Sequence, residues 1–351
     1  MEGSVERIRT LLGGGRPDRP PLFDLVCNDA ILAHFSPTGP IAPGDDEAGI
    51  RAIAGAIDGT RTTFFAPNVL REEMLPDGRQ RRYEPWTCWT ADRAFASAEE
   101  FAAVKKREAA ALVAQADSLD VAAHEMYRRN RAQFDCFTGD AWYIPDWPGT
   151  GFMGIYCEIG LEQFSYYLID APEVIDEILE AKTCFAEKWA AGLPEDDPFD
   201  GLFLGVDMAY KTGLMVSPNW LREHYIPRLR RVVEAYHKRG KKVMWHSDGN
   251  INAILDDLVA AGIDMLNPIE VLANMDLADL HRRYPGLIFA GGIDVSDLLP
   301  HGTEQQVRDA VVKAIEDTEG RIMVGSSTEL FDTVPLKNFL AMRETAMGYR
   351  L

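Results

Sequence analysis

Residues 201–250 read GLFLGVDMAYKTGLMVSPNWLREHYIPRLRRVVEAYHKRGKKVMWHSDGN. A short apolar run, 201–206, is followed over 218–239 by apolar residues at helical spacing. Pro218 is placed to open that helix and Gly240 to close it. Residues 242–245 (KVMW) form the next strand. The alternation runs on to the C-terminus. A helix over 251–261 stops at Gly262, a strand lies within 264–268, and a helix covers 276–284. A strand at 287–290 (LIFA) precedes a helix over 303–318, whose TEQQ start lets Thr303 and Gln306 satisfy each other's backbone donors. A last strand, 321–324 (RIMV), leads to a helix opened by Pro335. Five strand-then-helix units in succession imply a parallel sheet covered by helices.

Upstream the pattern is less regular. Residues 22–27 (LFDLVC) and 62–66 (TTFFA) read as strands, and 74–89 holds a PDGR turn between two more, a hairpin outside the main sheet. Residues 95–134 read as helix with a break around 117–120. Residues 142–154, rich in Pro, Gly and aromatics, read as a loop beside a cavity. Residues 155–157 read as a strand that precedes a helix reaching about residue 190. Strands at 22, 62, 155, 202, 242, 264, 287 and 321 make eight, the number of an α/β TIM-type (β/α)8 barrel, here with an N-terminal helical and hairpin elaboration. The expected organisation is one barrel domain over 1–351, irregular in 1–150 and regular in 151–351. A doubly wound open sheet is the alternative, but no GxGxxG follows a strand.

Composition narrows the function. With 55 acidic and 36 basic residues, the net charge of −19 argues against nucleic acid and against an anionic membrane surface. The 46% hydrophobic and 26% charged fractions are those of a globular chain. No stretch approaches the roughly 20 apolar residues of a membrane span. The five cysteines, Cys27, Cys88, Cys136, Cys157 and Cys184, are odd in number and contain no CxxC pair, which fits a reduced cytoplasmic protein.

In a barrel the chemistry sits at the C-terminal ends of the strands. After GLFLGV come Asp207 and Tyr210; after KVMW come His246, Ser247 and Asp248; after DMLNP comes Glu270; after LIFAGGI comes Asp294; after RIMV come Ser326, Ser327 and Glu329. His246 and Asp248 stand two apart, so both face one way if the strand persists. With Glu270 they can hold a divalent metal or bind and protonate a polar substrate. Asp207 joins them as a candidate catalytic group. Tyr210, Asp294, Ser326, Ser327 and Glu329 are candidate substrate contacts, as are Trp147 and Tyr156 from the aromatic segment. Simpler roles stay open. Asp248 can cap the helix beginning near Asn250, Asp207 and Asp294 can serve as turn carboxylates, Glu329 can form an ion pair, and the aromatics can anchor a loop.

Residues 200–270, then GGIDV and the final VPLKN, resemble the uroporphyrinogen decarboxylase (URO-D) superfamily; GLEQFSYYLIDAPEV at 160–174 and the N-terminal GRPDRPP carry the likeness more weakly. The resemblance implies a TIM-like barrel and either decarboxylation or methyl transfer. Residues 21–35 (PLFDLVCNDAILAHF) lack the arginines with which true uroporphyrinogen decarboxylases grip their substrate. The methyltransferase branch holds zinc through His-x-Cys, a later Glu and a Cys near the last strand. His246 and Glu270 keep that order, whereas Asp248 and Ser326 or Ser327 replace the cysteines. The resemblance therefore implies a harder site for zinc or another divalent metal, suited to oxygen rather than thiol chemistry. The expected function is transfer of a methyl group from a small methoxylated or methylated compound to a corrinoid on a partner protein. A decarboxylase or lyase acting on a small carboxylic acid and a non-catalytic binding homologue are the alternatives. Expected partners are the small-molecule substrate, the corrinoid protein and a second copy of the chain in a homodimer.

Overall fold

The computed structural model describes residues 2–42, 44–63, 70–84 and 86–351. Apolar runs bounded by turn residues give five strands, Gly201–Gly205, Lys242–His246, Met265–Asn267, Ile288–Ile293 and Ile322–Ser326, which lie parallel and in chain order. Their register aligns Trp245 with Leu204 on one side and Leu266 on the other. Gly59–Arg61 pairs in parallel with Trp142–Ile144. Isolated bridges from Asp146 to Phe203, from Phe23 to Gly59 and from Leu22 to Val324 join these pieces. Eight strand positions thus close into a parallel barrel, the expected α/β TIM-type (β/α)8 architecture.

The period of two along each strand splits the core in two. Phe23, Trp142, Ile144, Phe203, Met244, Met265, Ile288, Ala290 and Met323 pack together inside the barrel with Ile8 and Leu11. Leu202, Leu204, Val243, Trp245, Leu266 and Val324 face the surrounding helices. Ile8 and Leu11 come from the helix Ser4–Leu12, which sits at the N-terminal ends of the strands: Arg9 pairs with Asp200, and Trp142 Nε1 donates to the same carboxylate. That end is plugged, so the open mouth lies at the C-terminal ends.

The C-terminal rhythm is found as read. The helix Glu304–Asp317 carries the Thr303–Gln306 capping box, and Leu255–Ala261 ends at Gly262. The 218–239 helix contains a π-helical turn, Leu221–Tyr225. The candidate hairpin at 74–89 is a three-stranded antiparallel sheet, Arg71–Met74, Gln80–Glu84 and Thr87–Thr90. The helical stretch 95–134 divides into Ala98–Asp117 and Glu125–Phe137, as the break around 117–120 suggested.

Three strand placements in the first half are corrected. The strand read at 155–157 is part of the helix Phe152–Ile159. Phe152, Ile155 and Ile159 recur at helical spacing and are buried, and this pattern outweighs the β-branched residue between them. The strand it stood in for is Trp142–Ile144, the opening of a segment read as loop, where Trp142, Tyr143 and Ile144 are all buried. The strand read at 62–66 lies earlier, at Gly59–Arg61; Thr62 and Thr63 follow it, and 64–66 fall outside the described residues. Within 22–27 only Val26–Cys27 is a regular strand, paired with Leu330–Phe331, while Leu22 and Phe23 make the bridges that close the barrel. All five cysteines are free. Among the described residues no helix is long and apolar enough to cross a membrane.

Candidate active site

His246 ends the strand Lys242–His246 and is buried. Its Nδ1 lies 2.7 Å from Asn267 Oδ1, and Asn267 Nδ2 donates to the Ala290 carbonyl, which fixes the amide orientation. Nδ1 therefore carries a hydrogen, and Nε2 is the nitrogen turned toward the site. It faces Asp207 Oδ1 at 3.4 Å. Phe203 packs against the ring with centroids 5.0 Å apart.

Asp207 is placed by the loop after Gly201–Gly205. Val206 N–H donates to the His246 carbonyl, Met208 N–H donates to Ser247 Oγ, and the Tyr156 hydroxyl donates to the Asp207 carbonyl. The Asp248 N–H in turn donates to Asp207 Oδ1. Gly249 has φ +86°, and a Cβ there would stand 2.6 Å from the Ala209 carbonyl group. Only glycine lets the 246–250 loop close on the neighbouring loop in this way.

Asp207, His246 and Asp248 each offer one ligand atom within 4.8 Å of the others. Thr328 Oγ1 donates to Asp248 Oδ2 at 3.2 Å, whereas Asp248 Oδ1 is buried with no hydrogen-bond partner among the described residues. Burial, with repulsion from Asp207 and Glu270, pushes the Asp248 carboxyl up to about 6 against the pull of His246. Burial also opposes the charge on Asp207 and His246. Their mutual hydrogen bond and attraction outweigh it, holding Asp207 below its usual range and His246 above. The three groups thus differ in proton affinity, an arrangement suited to proton transfer or to a divalent cation.

Glu270 stands outside this cluster. Its Oε2 accepts the Gly249 N–H at 2.8 Å, so it braces the 246–250 loop, and Asp207 occupies the third place. Asp294 accepts the N–H groups of Ser296, Asp297 and Leu298, the turn role. Ser326 gives both its N–H and its hydroxyl to buried Asp24, and Ser327 Oγ accepts the Val295 N–H. Glu329 pairs with Arg61 at 2.6 Å. Tyr210 is 52% exposed on a small hairpin beside the mouth. Trp147 is buried, stacked near Tyr127 and Tyr236, and lines a cavity of about 290 Å³ with Phe152, Leu204 and Tyr225.

Sequence reasoning passed over Arg61, Asp146, Asn267 and Asp24. Arg61 ends Gly59–Arg61, binds Asp146 and Glu329, and lies 4.7 Å over the Phe203 ring. Asp146 follows Trp142–Ile144. Both stand at C-terminal strand ends, so the same strand-end rule would have found them had the second and third strands been placed correctly. Burial, with three accepted hydrogen bonds opposing it, pushes Asp24 up to about 7.

Residues 200–349 match the family model described as uroporphyrinogen decarboxylase (URO-D). Among curated proteins, none matches the chain. Among solved structures, a methyltransferase from Methanosarcina mazei is similar at a TM-score of 0.69 and 14% identity, with 99% of each chain covered. A B12-independent methionine synthase from Shewanella sp. W3-18-1, in complex with selenomethionine, is similar at a TM-score of 0.50 and 12% identity, with 94% of this chain and 98% of that one covered. These likenesses carry the fold.

Proposed function

We propose, with the URO-D match of residues 200–349 as premise, that this chain is a methyltransferase. It would bind a small methoxylated or methylated compound at the barrel mouth and pass the methyl group to a corrinoid held by a partner protein. The observation that carries the reading is the convergence of Asp207, His246 and Asp248 at the open end of the strands. When a methyl ether gives up its methyl group, the departing oxygen needs a proton or a Lewis acid. His246 is arranged for the first role. Nδ1 is committed to Asn267, Asp207 favours the charged ring, and the Nε2 hydrogen is the one that can pass to the departing oxygen. Asp207, held by Tyr156 and the Asp248 N–H, keeps the imidazole in place during that transfer.

The same side chains fit a divalent metal. Their donor atoms are close together, and Asp248 Oδ1 is a buried oxygen lacking a hydrogen-bond partner among the described residues. One imidazole with two carboxylates is a harder set than the thiolates of the resembled branch. Zinc or another divalent ion held there would polarise the departing oxygen. Nε2 serves a proton or a metal, not both, so metal analysis of the purified protein decides between the two modes.

Arg61 is already held by Asp146 and Glu329, which argues against a polycarboxylate substrate at this mouth. Decarboxylation of a small acid is the second reading, favoured by the family model's own description. The test supplies methoxylated aromatic or aliphatic compounds with and without a corrinoid protein. Demethylated product is expected only with the corrinoid protein present. Full turnover without it overturns the proposal, and carbon dioxide release from a carboxylic acid supports the second reading.

A further inference from the structure

On the outer layer of the barrel, away from the Asp207–His246–Asp248 cluster, lies a pocket of about 340 Å³ between the helices Ala98–Asp117, Phe152–Ile159 and Pro172–Ala191. Its volume is at the small end of the range for ligand sites. Its walls are mostly apolar, with Ala109, Leu112, Ile155 and Ile178 among them. The charged groups lining it are Lys105, Glu108, Glu158 and Lys182.

Two cations face two carboxylates, but Arg93, outside the lining, also pairs with both carboxylates, so one cation is in excess. Glu108 and Glu158 each receive hydrogen bonds from both Lys105 and Arg93. Two carboxylates are thereby matched by two cations. Lys182 is the remaining cation, and among the described residues its amine makes no hydrogen bond or ion pair. The backbone is shaped to admit its stem: Gly151 has φ +72°, and a Cβ there would fall 1.9 Å from Lys182 Cδ. Burial and the proximity of Lys105 also disfavour its charge more than Glu158 and Glu108 support it. A chain of net charge −19 has therefore placed an unmatched ammonium among aliphatic side chains. An ammonium so placed gains most from an anionic partner that brings its own apolar surface.

We infer that this pocket binds a small monocarboxylate with a short apolar tail, the carboxylate paired with Lys182 and the tail against Leu112, Ile155 and Ile178. The helix Phe152–Ile159 lines the pocket with Gly154, Ile155 and Glu158 and sends Tyr156 to the Asp207 carbonyl, so the two sites share one element. The inference stands on this pocket alone and does not depend on the methyl-transfer reading.

Calorimetric titration of the full chain with sodium hexanoate tests it, with hexylammonium chloride as the cationic counterpart. Saturable hexanoate binding is expected, with no binding of hexylammonium. Lys182→Met should weaken hexanoate at least tenfold. Ala109→Phe, which fills the pocket from a half-buried helix position, should do the same while leaving Lys182 in place. In the unmodified protein, hexanoate should also slow amine labelling of Lys182 read by peptide mass spectrometry. Absence of saturable hexanoate binding, or unchanged affinity in Lys182→Met with the thermal transition intact, overturns the assignment.

Discussion

The two halves of the barrel are held together by different physics. From residue 201 onward, neighbouring strands share continuous parallel ladders, five residues long between Gly201–Gly205 and Lys242–His246. Before residue 150 the strands are short, and three of the contacts that close the ring are isolated bridges. Buried charge does there what backbone pairing does elsewhere. Asp58 accepts hydrogen bonds from Arg7, Arg19, Ser4 and the Leu22 N–H, joining the first helix to the first and second strand positions. Arg61 ties the second strand to Asp146 and to Glu329 beyond the last strand. The chemistry is divided as well. The candidate catalytic cluster comes wholly from the ladder-built half, and the charge-built half sets charges beside it, Arg61 acting on Asp207 and Asp146 on His246.

The strongest way to break this contrast is to remove Asp58. Asp58→Ala leaves two buried guanidinium groups without their shared carboxylate and should cost about 3–5 kcal/mol in denaturant unfolding. Acid should act on the same point. Burial raises the Asp58 carboxyl, but the bonds and charge of Arg19 with its other donors outweigh this and hold it below its usual value. The unfolded chain then takes up that proton first, so the stability Asp58 lends is present above the ordinary carboxylate range and is lost as pH falls through the depressed value. An Asp58→Ala protein should lack this part of the acid dependence in unfolding curves measured from pH 7 down to pH 3.

His246→Ala tests the other half. It should lower methyl transfer by about 10²–10⁴-fold, the usual contribution of a positioned acid, with far-ultraviolet circular dichroism unchanged. Unchanged activity would remove His246 from the chemistry. Gly249→Ala sharpens the comparison by straining the loop that carries the cluster. The positive φ alone costs about 1–2 kcal/mol. The contact with the Ala209 carbonyl group should shift Asp207 relative to His246, so activity should fall more than the melting temperature does. The smallest effect belongs to a cap in the regular half. Thr303→Ala removes the capping box of Glu304–Asp317 and should cost about 1 kcal/mol with no change in activity.

Legibility followed the same division. In the regular half each strand is a buried apolar run and each helix has its stop signal, so both elements and strand ends were readable, His246 and Asp248 among them. In the first half the segment around Ile155 is compatible with strand or helix over so few residues. Reading it as strand displaced the true third strand at Trp142–Ile144 and hid Asp146. Placing the second strand a few residues late hid Arg61 in the same way.

The sequence by itself determined the five regular strand-and-helix units of the barrel and the ionisable groups at their strand ends, because periodicity and caps are local properties of the chain. It did not determine which of those groups meet. Glu270 turns to the Gly249 N–H, Asp294 to three backbone donors and Ser326 to Asp24, while Asp207 swings to His246. Those choices depend on the paths of the connecting loops and on backbone donors contributed by distant residues. They are decided only when the ring closes and each buried polar group must find its partner.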